Sequence, residues 1–160
     1  MTLAWLSAGR LRGSDWHQLA RDDLAALFEP EVVEFLPSSF HGLTTEISQR
    51  EFLTNLSQQA EVAALFETSG PGVGLVILSH AEPDSSERHL GYLLARRVWG
   101  QGLATELIAA LQEMYRGTDF TFCGGVMQGN TASARLLHRA GFQADDRGDE
   151  VVYRWSGTGV

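Results

Sequence analysis

The stretch Arg97-Val98-Trp99-Gly100-Gln101-Gly102 stands directly before an amphipathic segment that begins near Leu103, and it is the part of the chain best suited to chemistry. A helix N-terminus leaves backbone N–H groups without intrahelical partners and carries about half a positive charge, so it attracts anions. Glycines at 100 and 102 let the main chain curl and approach a phosphate with no Cβ in the way. Ordinary strand-to-helix turns also use glycine, so the pair by itself does not establish phosphate binding. Nucleotide fingerprints are absent: G-x-x-x-x-G-K-[ST] does not occur, and G-x-G-x-x-G fails at Thr105. All twelve cationic residues are arginine, which removes Schiff-base and phosphate-loop lysines from the possible chemistries.

Positioning that turn requires a strand before it and a helix after it. His89 to Ala95 reads as the strand, and Leu103 to Tyr115 as the helix, because Ala104, Leu107, Ile108 and Leu111 make one apolar face. Asp119 to Val126 is the next strand. Asn130 caps a further helix whose buried face is Leu136, Leu137 and Ala140, and Gly141 sits where a left-handed closing residue belongs. Phe142 to Ala144 and Glu150 to Trp155 add two strands. Upstream, Val62 to Phe66 and Val73 to Leu78 flank the Gly70-Pro71-Gly72 turn and predict an antiparallel meander with the His89 strand. The first third reads as helical: Ser14 or Asp15 caps a segment through Phe28, Glu31 to Leu36 follows, then Ser48 to Gln59. The order predicts an α+β fold with helices on both faces of the sheet.

Length and composition fit one globular domain over residues 1–155, with residues 156–160 as a frayed tail. No segment approaches the run of about 18 apolar residues that spans a membrane, and Met1 to Arg12 lacks the pattern of a secretory signal, so a cytoplasmic protein is expected. Cys123 is the only cysteine; it forms no intrachain disulfide and reads as a buried thiol rather than a nucleophile. No metal site is expected. The net charge of −8 argues against nucleic acid as a partner. Within residues 88–139, six arginines against three acids give +3, leaving −11 for the rest of the chain. A positive window in an acidic protein favours an anionic cofactor with a cationic co-substrate; a chance cluster of solvated arginines gives the same count.

The loop Arg97-x-x-Gly100-x-Gly102 resembles the pyrophosphate loop, [Q/R]-x-x-G-x-[G/A], of the GNAT superfamily. A second match follows in Asn130-Thr131-Ala132-Ser133 through Ala140-Gly141-Phe142, and the string from His89 to Glu106 is similar to the subgroup of ribosomal-protein alanine N-acetyltransferases. The resemblance implies a mixed, mostly antiparallel sheet of six to seven strands with a splay between the fourth and fifth, His89 to Ala95 and Asp119 to Val126 here. It implies acetyl-CoA (coenzyme A) as cofactor and an amine as acceptor. The pantetheine arm would pair with strand backbone near Leu93, Leu94 and Ala95. The pyrophosphate would rest on Arg97, Val98, Trp99, Gly100, Gln101, Gly102, Leu103 and Ala104, with the Thr105 hydroxyl. Asn130 would reach the pantetheine arm, a role compatible with simple capping, and Arg135 or Arg139 the adenosine phosphates.

In many members a tyrosine five residues before the phenylalanine of the second motif protonates the departing thiolate; that position is Leu137 here. Ser133 matches the serine that the subgroup uses instead. As general bases the resemblance points to Glu87 and His89, with Glu46 and His41 in the acceptor wall. An N-acetyltransferase, monomer or homodimer, is therefore expected. The missing tyrosine also fits a non-catalytic acyl-coenzyme A-binding module, and a generic α+β binding protein would carry both motifs by accident.

Overall fold

In the computed structural model, Leu3 and residues 6–80 and 82–159 are described. Eight strands form one sheet: β1 (Ser7–Ala8), β2 (Leu11–Asp15), β3 (Ala60–Glu67), β4 (Gly72–Ser79), β5 (Glu87–Leu94), β6 (Thr121–Met127), β7 (Gln143–Asp146) and β8 (Glu150–Ser156). The helices are α1 (Arg21–Leu27), α2 (Pro30–Val33), α3 (Glu46–Leu56), α4 (Leu103–Tyr115) and α5 (Thr131–Arg139). The sheet order is β1-β2-β3-β4-β5-β6-β8-β7, and β5 and β6 are its parallel neighbours.

The central strands are covered on both sides, which explains their nearly continuous apolar runs. Successive side chains alternate between two cores. Leu65, Val76, Leu78 and Leu94 pack with Leu107, Ile108 and Leu111 of α4 and Leu137 of α5. Ala64, Phe66, Leu75 and Leu93 pack with Leu24 and Leu27 of α1 and Leu53 of α3.

The β1–β2 hairpin corrects the expected helical start and raises the strand count from six or seven to eight. Asp15 caps only a single 3-10 turn at residues 16–18, its Oδ1 accepting from His17 N at 2.9 Å. Leu19 and Ala20 are extended, with ψ of 131° and 162°, so the helix begins at Arg21. Gly13 permits β2 to run where it does, because a Cβ there would lie 2.2 Å from the Leu3 carbonyl oxygen.

The expected frayed tail is corrected at its beginning. Ser156 ends β8, and Gly157 donates to Phe120 O while accepting from Gly117 N, both at 2.8 Å. Beneath it lies Tyr115, stacked on Phe120 at 4.3 Å and edge-on to Phe122 at 5.2 Å. Its buried hydroxyl has no hydrogen-bond partner among the described residues.

Removing an unsatisfied buried hydroxyl relieves a desolvation cost, so Tyr115→Phe is expected to stabilise the fold by about 1 kcal/mol in denaturant unfolding. Burial pushes the Tyr115 phenol above its ordinary value, with Arg88 opposing and Glu61 adding to the rise. Below about pH 10 the phenol is neutral whether the chain is folded or not, and it gives stability no pH dependence. Above that the unfolded chain loses its proton first and stability falls. The variant should lose less stability than the wild type above pH 10; equal alkaline loss would refute this.

Candidate functional site

Beyond His89 the sheet opens. Strands β5 and β6 pair at Glu87–Thr121, Arg88–Phe122 and His89–Cys123 and then separate. The register with β4 decides which backbone groups of β5 face the gap. Ala95 N donates to Val73 O at 2.7 Å, so by antiparallel alternation Leu93 is also turned toward β4, whereas Tyr92 and Leu94 point their peptide groups into the splay. Expected backbone partners near Leu93 and Leu94 thus become Tyr92 and Leu94. Of these groups the Leu94 carbonyl already accepts from the Trp99 indole at 2.8 Å.

A cleft of about 470 Å³ occupies this opening. One wall is the turn before α4, with Val98, Trp99, Gly100, Gly102, Leu103, Ala104 and Thr105; the floor is Tyr92, Leu93 and Leu94. The opposite wall is the first turn of α5, including Asn130 and Ser133, and the rim carries Glu31, Glu34, Phe35 and Leu36 from α2 and the segment after it.

Gly100 and Gly102 have φ of +75° and +79°, the left-handed region that glycine enters without strain. Two such residues flanking Gln101 curl the chain, and Gly102 stands at the N-cap of α4 with no side-chain cap. Among the described residues, the N–H groups of Gly100, Gln101, Gly102, Leu103, Ala104 and Thr105 have no hydrogen-bond acceptor in the protein. Six consecutive unpaired donors at the positive end of a 13-residue helix form a cup that fits a diphosphate. The splayed strand edge next to it fits an extended, amide-bearing arm.

Across the cleft stands the first turn of α5. Asn130 Oδ1 accepts from Ser133 N at 3.4 Å, the capping geometry expected for this position. Ser133 Oγ lies 3.3 Å from Tyr92 Oη across the cleft. Burial pushes the Tyr92 phenol above its ordinary value, outweighing the opposite pull of the Ser133 hydrogen bond, so the phenol keeps its proton. Leu137, where a phenol would have stood, is buried and apolar.

Other expected residues lie elsewhere. Glu87 and His89 sit on the paired end of β5, outside the cleft; Glu87 accepts from Arg154 Nε at 3.1 Å and His89 N donates to Ser79 Oγ at 2.8 Å. They fall outside because the strands diverge only after His89. Glu46 is paired with Arg50 at 3.0 Å, and His41 Nε2 is 2.6 Å from Val33 O. Ala95 is buried and bonded to β4, Arg97 donates to Gly72 O at 3.2 Å, Gln101 turns outward, and Arg135 and Arg139 are exposed on α5; none lines the cleft. The Cys123 thiol is buried and pushed up by that burial and by Glu87, the opposite of the shift that activates a cysteine nucleophile. No metal-binding cluster occurs among the described residues. Tyr92, Glu31 and Glu34 were not singled out by sequence; the one signal for Tyr92 is that it stands on the strand entering the glycine turn.

Residues 16–143 match the model of the acetyltransferase (GNAT) domain, and the chain belongs to the GNAT acetyltransferase family. The sheet, its splay and the helices on both faces are the expected GNAT architecture. A GCN5-related N-acetyltransferase from Brucella melitensis shares the fold with a TM-score of 0.77 at 15% identity, covering 95% of this chain and 78% of that one. RimL, a ribosomal L7/L12 alpha-N-protein acetyltransferase solved in complex with coenzyme A, gives 0.73 at 19% identity over 92% of this chain and 94% of that one. A ribosomal-protein-S5-alanine acetyltransferase from Vibrio fischeri gives 0.65 at 13% identity, over 92% and 93%. Identities this low establish the shared fold alone. Sequence comparison with curated proteins finds no match.

Proposed function

We propose that this chain is an N-acetyltransferase that takes the acetyl group from acetyl-coenzyme A and passes it directly to an amine. The observation that carries this reading is the run of unpaired amides from Gly100 to Thr105, five of whose six residues line the cleft at the splay between β5 and β6. Acetyl-coenzyme A supplies a thioester carbonyl carbon open to attack by a neutral amine. The cup at the start of α4 holds the diphosphate, Thr105 adds a hydroxyl, and the peptide groups of Tyr92 with the Leu94 N–H hold the arm. The N–H groups turned into the splay also provide donors for negative charge developing on an acyl oxygen.

An alkyl ammonium has a pKa near 10.4 and an α-amine one near 8, so the acceptor must shed a proton before it attacks. Glu31 is engaged by Arg96 at 3.1 Å. Glu34 is the rim carboxylate with no ion-pair partner among the described residues, and it takes that proton or passes it to solvent. The same rim, with an acidic chain behind it, favours a cationic acceptor. Ser133, backed by Tyr92, returns a proton to the departing sulfur.

The absence of a phenol at Leu137 favours a second reading, a non-catalytic binder of acyl-coenzyme A. Both are tested by adding coenzyme A to the pure protein and following unfolding, then supplying acetyl-coenzyme A with a panel of amines and measuring free thiol. At 100 times Kd, binding should stabilise by about 2.7 kcal/mol and raise Tm by roughly 5–10 °C. Amine-dependent thiol release supports the enzyme. Stabilisation with no release on any amine supports the binder, and no stabilisation removes both.

A further inference from the structure

The tip of the β1–β2 hairpin reaches the back of the glycine turn. Gly9, at φ +68°, makes the reversal that delivers Arg10 there, and Thr68 fixes the tip by donating N to Arg10 O at 3.1 Å and Oγ1 to Gly9 O at 3.2 Å. From this anchored position Arg10 forks. Its Nε donates to Glu106 Oε2 at 2.7 Å, and its Nη2 donates to the Gln101 carbonyl at 2.6 Å.

A trans peptide points its C=O and N–H in opposite directions. Drawing the Gln101 carbonyl outward to Arg10 therefore turns the Gly102 N–H inward, and Gly102 lines the cleft while Gln101 does not. That peptide needs a restraint because it joins Gln101 to Gly102, and a glycine φ turns over at little steric cost. A bare cation near a helix N-terminus is unfavourable. Glu106, in the first turn of α4, offsets this charge and holds the guanidinium against the turn.

We propose that Arg10 is a positioning residue for the cofactor: by holding the Gln101 carbonyl from behind, it aims the Gly102 amide at the diphosphate without touching the ligand. This rests on the reading of the Gly100–Thr105 turn as a diphosphate cup. It ties affinity for the cofactor to a hairpin more than 90 residues away in sequence from the turn it serves, since the Arg10–Gln101 separation is 91.

The test compares wild type, Arg10→Met and Arg10→Lys by calorimetry with coenzyme A, by NMR titration with pantetheine, which lacks the diphosphate, and by hydrogen exchange at the Gly102 amide in the free protein. Arg10→Met should weaken coenzyme A binding roughly tenfold, the value of one charge-assisted hydrogen bond, leave pantetheine binding unchanged and alter exchange at Gly102. Arg10→Lys keeps the charge but loses the planar fork, and should fall close to Arg10→Met. Unchanged coenzyme A affinity in Arg10→Met overturns the proposal, as does full retention in Arg10→Lys, which would make the effect one of charge alone. Should Arg10→Met not fold, Arg10→Lys decides. Failure of the wild type to bind coenzyme A at all removes the cup itself and the proposal with it, a result plainly different from equal binding by all three proteins.

Discussion

Gly102→Val is expected to weaken coenzyme A binding roughly a hundredfold while the chain stays folded. Gly102 holds φ at +79° at the N-cap of α4, and an added Cβ would meet nothing closer than Arg10 Nη2 at 3.5 Å. Space is therefore available, and the penalty is conformational. A left-handed residue with a side chain costs about 1–2 kcal/mol, and more when it is β-branched. The turn escapes this strain by rotating the peptides on either side of residue 102, which withdraws the amides that face the cleft. Losing two such donors to a phosphate, at roughly 1.5 kcal/mol each, gives a factor near one hundred. Gly117→Val is the matched control. Gly117 has φ of +84° with open space around its Cβ position, but it lies at the other end of α4. It should lose comparable stability and bind coenzyme A normally. If the two variants bind alike, the turn at 100–102 is not the diphosphate site.

The parts of the molecule legible in sequence are those whose signals are local. The helix Leu103–Tyr115 has the bounds its apolar spacing predicts, and Asn130 caps α5 as read, because a helix face and its cap are written within a dozen residues. The β1–β2 hairpin was hidden for the opposite reason. Two residues of β1 and the mixed stretch Leu-Arg-Gly-Ser-Asp of β2 carry no alternation; β2 becomes a strand by pairing with β3, about 50 residues later, and β1 by pairing with β2. Register hid the rest. Where the splay begins depends on how far β6 runs beside β5, and the pairing of His89 with Cys123 places Glu87 and His89 on the closed side. Which backbone groups face the gap follows from the bond between Ala95 and Val73, so Leu94 points into it and Leu93 does not. Tyr92 meets Ser133 across a separation of 41 residues, a contact that neither motif contains.

Tyr92→Phe and Ser133→Ala should each lower kcat by one to two orders of magnitude, with KM for acetyl-coenzyme A nearly unchanged, and the double variant should be no slower than the worse single one. Each hydroxyl is 3.3 Å from the other. On the proposed mechanism a proton passed from Ser133 to sulfur is replaced from Tyr92, which regains its own from solvent, so removing either hydroxyl breaks the same relay. General acid catalysis contributes about 10²–10⁴ where the leaving group is poor. A thiolate is a moderate leaving group, which places the effect at the low end of that range or just below it. The pH dependence follows from the buried phenol, which burial raises above its ordinary value and so keeps protonated at neutral and mildly alkaline pH. Ionisation of the donor therefore imposes no fall in kcat over that range, and any fall there belongs to another group and persists in Tyr92→Phe. Thr105→Val provides the contrast, since it removes a hydroxyl from the far, diphosphate end of the same cleft and should raise KM while sparing kcat. Additive losses in the double variant would mean that the two hydroxyls act separately. A wild-type kcat in Tyr92→Phe would leave Ser133 to draw its proton from water, and strand β5 would then contribute only binding to the reaction.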